Sequence, residues 1–197
     1  MGKSGTLGGG SRAILFAVLS LIPRMVSADD VISASSTQGA FARGQRVQSF
    51  YVRAVTGPLR DKSVCYVCRN GDRPVVMILL RELEPELPGL LKSIDGLVDR
   101  HRAQGLRAFG VLIGEDPTKQ APRLQTLGFD KRLSLPLAVA GPQVAAAGCQ
   151  NIPADAVVTV ILYRDQKIED RRSYLSGELS AAACEQLLTK IGKFAAE

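Results

Sequence analysis

The chain has 197 residues, a formal charge of +6, four cysteines, one histidine and no tryptophan. One histidine excludes a multi-histidine metal centre, and any Ser-His-Asp chemistry would have to pass through His101. The lysines and arginines are scattered, with no basic run interleaved with aromatics, so the charge pattern gives no nucleic-acid footprint.

Residues 1–28 predict a secretory signal. Lys3 and Arg12 supply positive charge, Ala13–Ile22 is an apolar run, and Val26-Ser27-Ala28 fits the small-residue cleavage rule. The run is half of the roughly 20 residues that a membrane span needs, so no stable span is expected after cleavage. Cleavage would remove Lys3, Arg12 and Arg24 and no acid, which lowers the formal charge to +3. The chain is therefore expected to be exported, periplasmic or secreted. In an oxidising compartment, cysteines are disulfide candidates first and metal ligands second. Residues 29–48 are small, polar and glycine-containing and read as a flexible linker, which leaves 49–197 as one domain long enough for a real core.

Within that domain Ser49–Val55 alternates like a strand, and Thr56-Gly57-Pro58 turns the chain. Ser63–Val67 is a second short strand-like piece that carries Cys65 and leads to Cys68, and Asn70-Gly71-Asp72 is a turn signal. Pro74–Leu80 is continuously apolar, as a buried central strand should be. Leu87–Gln104 predicts a helix, with Leu90, Leu91, Ile94, Leu97 and Val98 on one face. Glu82, Glu84 and Glu86 before it read as surface carboxylates complementing the helix dipole. His101, in Asp99-Arg100-His101-Arg102, reads as a solvated helix-end residue. Leu106–Ile113 is a strand, and Pro117–Leu127 a short helix ended by Gly128. Leu133–Ala140 is a strand interrupted by Pro136, and Gln143–Gly148 a helical turn. Ala156–Tyr163 is another buried strand, turned by Arg164-Asp165-Gln166 into the polar edge-like strand Lys167–Tyr174. Leu179–Phe194 closes the chain as a helix with Cys184, Leu187, Leu188 and Ile191 on one face, where Cys184 reads as core. An α/β domain follows: a central mixed β-sheet flanked by helices, with an N-terminal β-hairpin.

The pair Cys65 and Cys68 has C-x-x-C spacing. In an extended strand, positions three apart lie about 10 Å from each other, whereas a disulfide needs Cα atoms within about 7 Å, so a bond requires a bend at Tyr66-Val67. If the segment bends, Arg69 and Arg73 lie near Cys68 and favour its thiolate. The residues leave four readings open: a redox dithiol, a structural disulfide within the pair or to Cys149 or Cys184, a metal site, and inert thiols. Covalent haem is disfavoured, because Arg69 stands where C-x-x-C-H needs histidine. No cofactor is called for.

The element order resembles the thioredoxin-like superfamily in its peroxiredoxin-like or TlpA-like form. Three stretches carry the resemblance over roughly Ser49–Phe194: Pro74–Leu80 with the helix after it, Leu135–Ala140 with Val144–Gly148, and Ile152-Pro153 with Val157–Ile168. The resemblance implies thiol–disulfide exchange with protein or small-thiol partners through a mixed disulfide, with Cys65 as nucleophile by analogy with other C-x-x-C motifs. It also implies that Cys149 could serve as a resolving thiol and that Pro153 stands for the proline of the thioredoxin site, displaced by Ala154-Asp155-Ala156. The sequence departs from the superfamily at the central strand. The usual active-site cysteine follows that strand, and here Glu82, Glu84 and Glu86 occupy the stretch; no P-x-x-x-[ST]-x-x-C motif is present, so a peroxidase of the usual type is not expected. The alternative is a non-catalytic thioredoxin-like binding module with structural disulfides.

Overall fold

A computed structural model describes residues 43–113, 116–141 and 152–197. All of them belong to the compact unit Ser35–Glu197. The elements are β1 (Val52–Ala54), β2 (Ser63–Val64), α1 (Tyr66–Asn70), β3 (Val75–Leu80), α2 (Leu87–Arg100), β4 (Arg107–Leu112), α3 (Pro117–Asp130), β5 (Leu137–Ala140), β6 (Val158–Arg164), β7 (Lys167–Tyr174) and α4 (Ala181–Ala196). The strands form one mixed sheet in the order β2-β1-β5-β4-β3-β6-β7. Strands β3, β4 and β5 are parallel, and the other pairs are antiparallel.

All six residues of β3 are buried, because the strand is central and both of its faces are covered. Side chains alternate between those faces. Val76, Ile78 and Leu80 join the core made with Leu90, Leu91 and Ile94 of α2, Leu124 of α3 and Leu187 and Ile191 of α4. Val75, Met77 and Leu79 join the second core, with Phe109, Val111 and Tyr163 of the neighbouring strands, Tyr66 and Val67 of α1, and Phe50. One helix-rich face and one face roofed by α1 and the N-terminal loop therefore share a single sheet.

Several local expectations change. The strand expected over Ser63–Val67 stops at Val64, and a helical turn begins at Tyr66. Extended backbone would hold the two cysteines too far apart to bond, whereas the turn brings their Cα atoms to 5.3 Å. Gly128 does not end α3, which runs on to Asp130. A Cβ there would come within 2.9 Å of Thr56 Cγ2, so the glycine serves close packing. Glu84 is not a surface acid: it is buried and accepts hydrogen bonds from Ser176 Oγ (3.1 Å) and the Gly177 amide (3.3 Å), tying the start of α2 to the β7–α4 connection. His101 caps α2 half-buried instead of solvated, with its Nδ1 buried and unpartnered among the described residues. Asp95, on the expected apolar face of α2, is buried and accepts from the amides of Ser134 (3.1 Å) and Leu135 (2.8 Å), which fixes the entry to β5. The helical turn expected over 143–148 lies outside the described residues.

Candidate functional site: a closed disulfide ring

Cys65 and Cys68 form a disulfide. Cys65 caps α1 in extended conformation, and its Sγ accepts a hydrogen bond from the Cys68 amide at 3.1 Å. The Arg69 amide donates to the Cys65 carbonyl at 3.1 Å, so the ring between the sulfurs is held by backbone as well as by the covalent bond. Burial of the two sulfur-bearing residues is unequal. Cys65 is 4% exposed and packs in the α1-side core, whereas Cys68 lies on the exposed side of the turn.

Sheet register locates the ring. Val64 pairs with Val52, and Val52 pairs with Ala140, so Cys65 leaves β2 at the end of the sheet where the parallel strands finish. Strand β2 is an edge strand, four strand positions from β3, a lateral distance of about 19 Å at the usual strand spacing of about 4.8 Å. From there α1 crosses the sheet face and delivers Val75 to the opposite end. Tyr66 stacks on Phe109 of β4 on the way, with ring centroids 5.1 Å apart.

The expected site residues divide into three groups. Cys65, Cys68 and Arg69 are together. Pro153 is apart from them in sequence, in the turn before β6 that the Ala156 amide closes on the Pro153 carbonyl at 3.1 Å. Its peptide bond is trans, as are all the described ones. Cys149 lies outside the described residues. Cys184 is a free thiol, half-buried against the core. Burial, reinforced by the nearby Glu86 charge, pushes its thiol up and keeps it protonated. Among the described residues no cluster of three or more histidine, cysteine or acidic side chains could hold a metal ion.

Beside α1, toward the end of the sheet where the parallel strands begin, lies a cleft of about 400 Å³ that sequence reasoning missed. Tyr66, Arg69, Asn70 and Arg73 line it from α1 and the turn after it, Arg107 from the start of β4 and Ser134 from the segment leading to β5. Only the i, i+3, i+4 spacing of Tyr66, Arg69 and Asn70 could have signalled it, and a helix there was not expected.

No protein-family profile and no curated sequence matches the chain. Solved structures do. The thioredoxin domain of a thiol-disulfide oxidoreductase from Bacteroides vulgatus superposes with a TM-score of 0.58 at 12% identity, over 79% of this chain and 99% of that one. Peroxidoxin BcpB from Mycobacterium tuberculosis gives 0.56 at 16% identity, over 78% of this chain and 97% of that one. A yeast mitochondrial 1-Cys peroxiredoxin gives 0.56 at 15% identity, over 77% of this chain and 75% of that one. The chain has the thioredoxin-like fold, in a form whose C-x-x-C pair precedes the first parallel core strand instead of following it.

Proposed function

We propose that this protein is a thiol–disulfide exchange protein acting through Cys65 and Cys68 on protein or small-thiol partners. The observation that carries the reading is a disulfide ring with one buried and one exposed cysteine. Exchange needs a sulfur that a partner can reach and a second one that can be released and return. The exposure of Cys68 supports the order opposite to the analogy with other C-x-x-C motifs. A partner thiolate attacks Cys68 Sγ, a mixed disulfide forms there, and the Cys65 thiolate leaves next to the Cys68 amide. A second thiolate, from the same partner, attacks the partner sulfur of the mixed disulfide and releases Cys68 reduced. The partner dithiol loses two electrons and the protein gains them; the reverse sequence reduces a partner disulfide.

In a background lacking Cys149 and Cys184, Cys65→Ser should give a long-lived mixed disulfide with an aromatic disulfide reagent, and Cys68→Ser a much slower one. The reduction potential of the pair should lie between about −120 and −270 mV. A value below about −300 mV, or equal reactivity of the two variants, would sink the exchange reading. The second reading, a structural disulfide in a non-catalytic module, has one observation in its favour: Cys65 is packed among Val64, Tyr66 and Val67. Export through a signal in residues 1–28 is part of the proposal, supported by the basic, apolar and small-residue segments in that order. Sequencing the N-terminus of the protein recovered from fractionated cells tests it: a start at Asp29 is expected, and a retained Met1 in the cytosolic fraction would refute it.

A further inference from the structure

We infer that the cleft beside α1 is a binding site for a small ligand carrying two or more carboxylate or phosphate groups. Three guanidinium-bearing residues line it, Arg69, Arg73 and Arg107, and none of them has an acidic partner among the described residues. The other cations nearby are neutralised differently: Arg60 lies by Asp61, and Arg102 pairs with Asp99. Burial, and after it the charges of Arg73 and Arg102, push Arg107 toward its uncharged form, so positive charge is held here at a cost. Such an arrangement is stable when an anion joins it. Guanidinium groups match the planar fork of carboxylate and phosphate oxygens.

A second, independent observation points the same way. Tyr66 is 7% exposed and lines the cleft, yet its buried hydroxyl has no hydrogen-bond partner among the described residues. Buried hydroxyls are normally satisfied, and one that is not marks a place where something else completes the bond. The hydroxyl is itself buried, so an anionic oxygen takes its hydrogen only where the ligand reaches the inner wall of the cleft, and Arg69 is close enough to act on the same phenol. The remaining walls, from Pro58, Leu59, Ala108 and Pro136, are apolar, which favours a compact organic anion over a lone inorganic ion. The cleft volume falls within the range of small-ligand sites, about 300–1,000 Å³. The site lies where the parallel strands begin, so it is separate from the end of the sheet at which Cys65 leaves β2.

The test is calorimetric titration of the oxidised full-length protein with citrate and with pyrophosphate, at low and at physiological salt. Binding of at least one is expected, weaker at higher salt. The better of the two tells whether carboxylate or phosphate is the preferred group. Arg107→Gln and Tyr66→Phe should each weaken it about tenfold or more, the loss expected for a hydrogen bond to a charged group. Arg123→Gln, the same charge change on an exposed helix position outside the cleft, should leave binding unchanged. Tyr66→Phe should also raise the melting temperature of the unliganded protein while it lowers affinity, a split that a purely structural tyrosine would not produce. No heat with either probe, or equal losses in all three variants, would overturn the assignment.

Discussion

Opening the Cys65–Cys68 bond gives the sharpest prediction, because its ring is so small. Stabilisation by a disulfide comes mainly from the loop entropy it removes from the unfolded chain, and that grows with the number of residues enclosed. Here the cysteines are three positions apart. Loop entropy for so short a ring amounts to about 2 kcal/mol at 25 °C. That is a modest part of the roughly 5–15 kcal/mol that holds a typical domain together. The double variant Cys65→Ser/Cys68→Ser should therefore fold, with a midpoint lowered by about 4–8 °C, given about 2–4 °C per kcal/mol for a chain of this size. Urea unfolding of the two proteins followed by far-ultraviolet circular dichroism measures the difference without the complication of reductant reaching other cysteines. Failure of the double variant to fold, or a loss above about 4 kcal/mol, would refute the reasoning and mark the bond as a staple. A folded variant shows that the protein can survive its own reduced state, which any exchange cycle requires.

Asp95→Ala removes the acceptor of the buried Ser134 and Leu135 amides and should cost about 2–4 kcal/mol in denaturant unfolding, with Asp95→Asn costing less because one oxygen remains. Gly128→Ala drives a methyl group against Thr56 Cγ2, whose own Oγ1 accepts from the Leu137 amide at 2.9 Å, and should cost about 1–3 kcal/mol by the same assay. Burial raises the phenols of Tyr66, Tyr163 and Tyr174, so all three are neutral in the folded chain at a pH where the unfolded chain has begun to ionise. Their contribution is complete below about pH 10 and is lost above it, because the unfolded state then holds fewer protons than the folded one. Phenolate absorbance from these residues should therefore rise together with the loss of circular dichroism; a rise well before unfolding would contradict the burial.

Much of the architecture was legible from hydrophobic period. The continuous apolar run Pro74–Leu80 could only be a strand covered on both faces, and the three- and four-residue spacing from Leu90 to Val98 could only be one face of a helix. The resemblance rested on the order of such elements, which survives when individual residues do not. What local pattern missed was decided by contacts distant in sequence. Asp95 gave no local signal of its role because its partners are about 40 positions away. Glu84 looked like a dipole-complementing surface acid because Ser176 and Gly177 come from the other end of the chain. Gly128 looked like a helix stop because its neighbour Thr56 sits in the β1–β2 connection. At the candidate site, Tyr66 and Val67 have strand-forming side chains, and the covalent ring overrides that preference. The same override shapes the cleft, since a helical turn puts Tyr66, Arg69 and Asn70 on one side and the turn after it adds Arg73.

The two borders of the sheet bear on how this protein behaves in a crowd. An open strand border is a template on which another chain can add itself, and long apolar borders lead to aggregates. One border is β2, only two residues long and followed at once by the disulfide ring, so an intruding strand finds almost nothing to pair with. The other is β7, eight residues long, and the residues Gly44–Val47 already occupy its beginning through backbone hydrogen bonds to Gln166 and Ile168. Beyond that point it carries Glu169, Asp170, Arg171 and Arg172 in succession, charged side chains of the kind that blunt an edge strand. With one border short and the other covered at its start and charged beyond, the described sheet offers a second chain little to add to.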